Sequence, residues 1–220
     1  MMRCRLLLAL CQVFVWGCGG ARSATTGPTG EGSADASRPT VGLEMRHQIL
    51  FSSAARDDVF EGIMLLFDDA FFVKAFAGPG VELFTVARRG QYHKEVLHID
   101  GLADRIDVTR VGADINRVYL AGCEGAAKPS SERRCIRDGE TVIEAFDADG
   151  RLATRRFPDA HGIGLTITYK EYVNGQGRAL PKRITLAWGT SKNCMVILMV
   201  SNSPAASDAI DALTGFLEKQ

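Results

Sequence analysis

Apolar side chains at every second position constrain this chain more than any other feature. Leu43, Met45, Ile49 and Phe51 share one period-two register with His47 between them. Ile163, Leu165, Ile167 and Tyr169 form a second, and Ile184, Leu186 and Trp188 a third. Successive side chains of a strand point to opposite faces, so this alternation predicts a sheet buried on one side. Turn residues separate the runs at Asp68-Asp69, Gly78-Pro79-Gly80, Arg89-Gly90, Asp147-Ala148-Asp149-Gly150, Asn174-Gly175 and Gly189. The spacing predicts strands near 43–51, 59–67, 71–78, 81–88, 91–99, 139–147, 151–157, 163–173, 180–188 and 194–200. Connections this short permit only antiparallel neighbours.

Two segments follow a helical period instead. Val108, Val111, Ile115, Val118 and Tyr119 lie on one stripe behind Asp107, a candidate N-cap. Near the end, Ser203 is a candidate cap with Pro204 at the first helical position, and Ile210, Leu213, Phe216 and Leu217 share a face. The expected order is five strands, a helix, five strands and a final helix. A sheet of that many strands tends to curl, and the central helix laid across it covers its apolar side.

Arg3 and Arg5 precede an apolar run from Leu6 to Trp16 that only Gln12 interrupts, which is the pattern of a secretion signal. As a helix that run rises only about 16 Å, half the hydrocarbon thickness of a bilayer, so it is a poor permanent span. The stretch VWGCG, Val15 to Gly19, resembles a bacterial lipobox, with an aliphatic Val15, a small Gly17 and a lipid-accepting Cys18. Trp16 departs from the pattern. The resemblance implies that Cys18 becomes an acylated N-terminus, carrying chains such as palmitate, and that Gly19 directs the protein to the outer membrane. Several buried acyl chains make a stable anchor. The alternative is an ordinary signal peptide cut near Ala21 or Ser23. From Gly19 to Thr40 the chain is rich in Gly, Ser, Ala, Thr and Pro, without large apolar residues, and reads as a flexible tether. The expected organisation is a signal peptide at 1–17, a lipidated start and linker at 18–40, and one domain at 41–220.

Lys and Arg number 26, equal to Asp and Glu at 26, and no basic stripe marks a nucleic-acid surface. Cys123 and Cys135 bracket the polar loop CEGAAKPSSERRC. An exported location permits a disulfide between them, contributing about 3 kcal/mol; two unpaired thiols are the other reading. Of the histidines, His47, His93, His98 and His161, none sits in a metal or nucleophile motif. His93 and Glu95 match the start of a zinc deaminase signature whose second half is missing. No catalytic residue, metal or cofactor is expected, although an enzyme whose site assembles around His93, His98 or His161 stays open as an alternative.

The segments AFAGPGVELFTV and ITYKEYVNGQGRALPKRITLAWG, with the order of the elements over most of residues 41 to 200, resemble the LolA/LolB lipoprotein carriers. The resemblance implies a mainly β fold with helices: an incomplete, half-open barrel of about ten to eleven antiparallel strands, covered by a central helix, plus a C-terminal helix. It implies a monomeric carrier or receptor facing the periplasm, with an acyl chain or lipoprotein as cargo and no nucleic-acid partner. Leu43, Met45, Ile49, Ile63, Leu65, Ile167 and Trp188, roofed by Val111 and Ile115, are then the candidate lining of an apolar cavity, with Met45, Met64, Met195 and Met199 to make it adaptable. The same residues could equally fill a solid core, leaving an assembly lipoprotein that acts through an envelope partner. LolB projects an apolar side chain from its third-to-fourth strand loop; here that loop offers Gly78, Pro79, Gly80 and Val81, so Pro79 and Val81 are the candidate membrane contact.

Overall fold

The alternation in LEMRHQILFS becomes strand β1, Leu43–Ser52, and the other elements assemble around it in a computed structural model. The structure describes residues 42–53, 57–99, 101, 106–125, 128–160, 164–175, 178–189, 191 and 193–218. After β1 come β2 (Asp57–Leu66), β3 (Ala70–Phe76), β4 (Glu82–Arg89) and β5 (Tyr92–Leu97), then helix α1 (Val108–Tyr119). The second half contains β6 (Glu132–Arg137), β7 (Glu140–Phe146), β8 (Leu152–Phe157), β9 (Leu165–Gly175), β10 (Arg178–Trp188), β11 (Cys194–Pro204) and helix α2 (Ala209–Glu218).

All eleven strands form one antiparallel sheet in the order β5-β4-β3-β2-β1-β11-β10-β9-β8-β7-β6. Each half of the chain is a meander, and the two meet where β1 pairs with β11. The two edges, β5 and β6, do not pair, so the barrel is open. The strand absent from the ten sequence runs is β6, ERRCIR, which has no apolar alternation and is charged as edge strands often are.

The second helix starts later than expected. Ser203 and Pro204 do not open it: β11 runs through Pro204, which lies opposite Leu43, and α2 begins at Ala209. Extending β11 supplies partners for the first residues of β1, and proline is tolerated at a strand end. Between Arg46 and His47 the β1–β11 register shifts, leaving Val200 as the extra, exposed residue of a bulge.

Register fixes which side chains share a face. Met45 opposes Met64 and Ile49 opposes Phe60, whereas Arg46 opposes Ile63 and Glu44 opposes Leu65. Met45 and Met64 pack with Leu43, Phe71, Val73, Phe84 and Val86, and α1 adds Val108, Val111, Ile115 and Tyr119 to that cluster. A second cluster joins Val118 to Val142, Ile167, Ile184 and Leu186. The opposite face of β3 and β4 is covered by α2, where Ala209 and Leu213 pack on Phe67, Ala70 and Ala87. Fully burying a side chain such as Leu213 contributes about 1.5–3 kcal/mol. Among the described residues no helix is long and apolar enough to cross a membrane.

Candidate functional site

The central helix is set by its cap. The Asp107 carboxylate accepts the Arg110 backbone N–H at 3.0 Å, satisfying one of the donors that a helix start leaves unpaired. From there an apolar stripe faces the sheet but does not meet it everywhere. A cavity of about 230 Å³ remains, modest beside the ~300–1,000 Å³ of most ligand pockets. Its walls are Ile49, Phe60, Phe84 and Leu186 from the sheet and Val111 and Ile115 from α1. Asp58, Asp107, Arg110 and Asn193 form a polar rim. The rim lies at the end of the sheet that carries the β1–β2 and β10–β11 connections.

Of the residues expected to line a cavity, the structure brings together Ile49, Val111, Ile115 and Trp188. Leu43, Met45 and Ile167 face the same side of the sheet but are sealed in closed core. Ile63 and Leu65 belong to the other phase of β2 and point away from α1; Leu65 packs under α2. Of the four methionines, Met195 reaches the cavity, and Met45, Met64 and Met199 are core. Phe60, Phe84 and Leu186 line it without having been expected as lining.

Trp188 is held by a polar cluster at the rim. Its Nε1 donates to Asp114 at 3.2 Å, and the Arg110 guanidinium lies over its ring, 5.2 Å from the centroid. Asp114 also accepts Arg117 Nη1 at 2.9 Å. Burial pushes the Asp114 carboxyl above its usual range, against the pull of Arg117. Arg117 in turn donates through Nε and Nη2 to Glu140 at 3.0 and 2.6 Å.

Sheet and helix also meet through a polar contact in the interior. His47, one inward residue beyond Ile49 on β1, is 6% exposed, and its Nε2 lies 3.3 Å from the Tyr119 hydroxyl on α1. Burial lowers the His47 pKa to about 4, so the ring is neutral at neutral pH.

The C-terminal end of α1 is clasped by buried charge. Arg155 Nη1 donates to the Arg117 and Val118 carbonyls at 2.6 and 2.9 Å, and the Tyr169 hydroxyl donates to the Val118 carbonyl at 2.8 Å. Glu144 accepts Arg155 Nε at 2.8 Å and Arg133 Nε at 2.7 Å. Cys123 and Cys135 are bridged, with Cα atoms 5.8 Å apart, tying the segment after α1 to the edge strand β6.

Among the described residues no group of His, Cys, Asp or Glu is placed to hold a metal. His98 meets Glu82 Oε1 at 2.9 Å and Thr85 Oγ1 at 3.0 Å, both through Nε2. One ring nitrogen thus serves both groups, unlike the relay of a nucleophilic triad. Thr85 pairs across β4 in the phase opposite Phe84 and Val86, so the cluster is on the face away from the cavity. Pro79 and Val81 are exposed in the β3–β4 turn, where Ala77 N–H donates to the Val81 carbonyl at 3.0 Å and Gly80 takes φ +78°. Cys18 and His161 lie outside the described residues.

No protein-family model and no curated protein sequence matches the chain. Its structure is similar to that of a LolA superfamily protein from Nitrosomonas europaea, with a TM-score of 0.51 and 14% identity over 77% of this chain and 88% of that one. It is also similar to a domain from Vibrio parahaemolyticus named as an outer membrane lipoprotein-sorting protein, with a TM-score of 0.50 and 10% identity over 78% of this chain and 91% of that one. An open sheet of eleven antiparallel strands, a helix across one face and these two likenesses together give the chain a LolA/LolB-like fold.

Proposed function

We propose that the protein is an envelope lipoprotein, anchored to the outer membrane through an acylated Cys18, that binds or transfers lipidated or otherwise apolar molecules. The observation that carries this reading is the cavity beneath α1, apolar within and polar at its rim, the arrangement expected for a ligand with a hydrocarbon tail and a wet head. The name of the Vibrio parahaemolyticus domain, an outer membrane lipoprotein-sorting protein, supports a role in handling lipoproteins. Pro79 and Val81, exposed at the sheet end that carries the rim, serve in this reading as a membrane contact beside the entrance. The protein acts as a monomeric carrier or receptor and not as a catalyst.

The test is native mass spectrometry of the full chain, produced in a bacterial envelope and extracted in mild detergent. Bound acylated molecules near one per protein are the expected result. A clean unliganded mass that takes up no added lipopeptide would overturn the reading and favour an assembly lipoprotein working through its outer surface.

A further inference from the structure

The apolar cavity shares a wall with a second hollow. Trp188 lines both, and from it a groove of about 680 Å³ extends past the end of β10 to Gly189. Leu165, opposite Trp188 on β9, and Phe157, opposite Leu165 on β8, continue that wall. Gly189 N–H donates to the Gly164 carbonyl at 2.9 Å, fixing one side of the groove. The other side is the β6–β7 turn, where Asp138 and Gly139 take φ of 50° and 80°, as a tight Asp-Gly hairpin turn requires. Helix α1 divides its residues between the two hollows: Val111, Asp114 and Ile115 face the cavity, and Arg117 faces the groove.

The charges around this double opening are uneven, although the whole chain has equal numbers of acidic and basic residues. Among the described lining residues, Asp58, Asp107 and Asp114 border the cavity. Glu140 and Asp159 border the groove. Against these five carboxylates stand two guanidiniums, Arg110 and Arg117. Both already have carboxylates beside them. Arg117 gives Nε and Nη2 to Glu140 and Nη1 to Asp114, and Arg110 lies over the Trp188 ring with Nε 4.0 Å from Asp114. A cleft lined mainly by one sign of charge concentrates ligands of the other sign. A phosphate or carboxylate head would have to displace a carboxylate from one of these guanidiniums, whereas an N–H or O–H donor meets acceptors.

Resting on the carrier reading above, we infer that cavity and groove are two compartments of one site, divided at Trp188. The cavity takes the hydrocarbon tail and the groove takes the head. The head is one that donates hydrogen bonds and carries no negative charge, and an amine is the best match.

The experiment offers the full chain an equimolar mixture of dodecylamine, dodecyl glucoside and dodecyl phosphate. Bound probe is counted by native mass spectrometry and again after release. Since the tail is constant, the ratios report the head alone. The expected result is an amine bound about ten-fold or more over the phosphate, with the glucoside between them. Raising ammonium acetate from about 0.01 M to about 0.15 M shortens the Debye length from ~30 to ~8 Å, and the preference should shrink with it. Equal binding of all three heads, or preference for the phosphate, would overturn this inference while leaving the carrier reading intact. Failure of every probe would overturn the carrier reading as well. Glu140→Gln and Asp159→Asn, each removing one carboxylate of the groove, are expected to narrow the amine-over-phosphate ratio by about three-fold. A protein that merely loosened would lose all three probes together. Asp159 is in the exposed β8–β9 connection, so its variant guards against a Glu140→Gln protein that fails to fold. An unchanged ratio in a folded Asp159→Asn protein would overturn the groove as the place of the head.

Discussion

Glu144 and Arg155 provide the sharpest test of how the central helix is held. Their side chains are 1% and 7% exposed, and Arg155 uses its donors on one carboxylate and two carbonyls at the end of α1. Glu144→Gln keeps the shape of the site but leaves the guanidinium buried without its counter-charge. Hydrogen bonds to charged groups contribute about 1.5–3 kcal/mol each, and removing one partner of a buried pair costs about 3–5 kcal/mol. Arg133, 26% exposed, can turn to water and adds little to the loss. The expected destabilisation is therefore about 3–4 kcal/mol, or a fall in Tm of roughly 6–16 °C for a domain of this size. Arg155→Met should cost a similar amount, because Glu144 then retains Arg133 alone and the Arg117 carbonyl loses its donor. The double variant Glu144→Leu, Arg155→Met buries neither charge, and a buried pair replaced by apolar groups is often close to neutral. It should recover most of the loss. Urea denaturation with matched m values measures all three. A Glu144→Gln cost below about 1 kcal/mol, or a double variant whose loss equals the sum of the single ones, would refute the reasoning.

Three further outcomes are expected. His47 has its pKa lowered by burial from 6.5 to about 4, so the unfolded chain binds its proton first as the pH falls. The neutral ring therefore contributes stability that is fully present above about pH 6.5 and is lost progressively towards pH 4. That loss is about 3 kcal/mol, read as a pH-dependent gap in urea midpoint between the natural protein and His47→Gln that is flat above pH 7. Replacing both Cys123 and Cys135 with serine opens a bridge of sequence separation 12 and should cost about 3 kcal/mol, with reductant lowering the natural protein's urea midpoint equally. Phe216 stacks edge-on against Phe72 at 5.4 Å and lies beneath the Lys94 amine at 5.0 Å. Phe216→Ala should cost about 2 kcal/mol yet leave acyl-peptide affinity unchanged in native mass spectra, since α2 covers the face away from the cavity.

The parts of this fold legible in the sequence are those with one dominant force. Helix α1 announced itself through its apolar period and the Asp107 cap, and both are present. Strands β9 and β10 alternate because one face is buried and the other wet, and Leu165, Ile167, Ile184 and Leu186 are buried accordingly. Strand β2 resisted because both its faces are apolar: Phe60 and Met64 belong under α1, Leu65 under α2. Alternation cannot assign a phase when two helices cover opposite sides of one sheet, so Ile63 and Leu65 were expected on the wrong face. Strand β6 carries no periodic signal at all, and its pairing with β7 and the bridge at Cys135 hold it in place. Glu144, Arg155 and Asp114 look like ordinary surface charges in the sequence. Their burial follows from where α1 crosses the sheet, a long-range fact that no local pattern encodes.

The same buried charges explain why a cavity exists at all. Apolar helices packed on apolar sheets close their gaps, because voids forfeit dispersion attraction. Here α1 is fixed at both ends by groups that demand defined geometry. At its C-terminal end it is held by Arg155, Tyr169 and the Arg117–Glu140 pair. At its N-terminal end Thr109 Oγ1 donates to Glu95 at 2.6 Å, and a Cβ at Gly112 would lie 3.0 Å from Val86. Settling the helix deeper would strand the buried Arg155 and Tyr169 donors, each at a cost of about 1–3 kcal/mol, which outweighs the benefit of tighter packing around Val111 and Ile115. The double variant Glu144→Leu, Arg155→Met therefore carries a second expectation. It should regain stability and lose the site, because a helix released from its polar clasp can close on the sheet. Native mass spectra with monoacyl peptide read this directly. Restored stability with undiminished acyl binding would show that the cavity is kept open by the shapes of the apolar side chains and not by the charges that anchor α1.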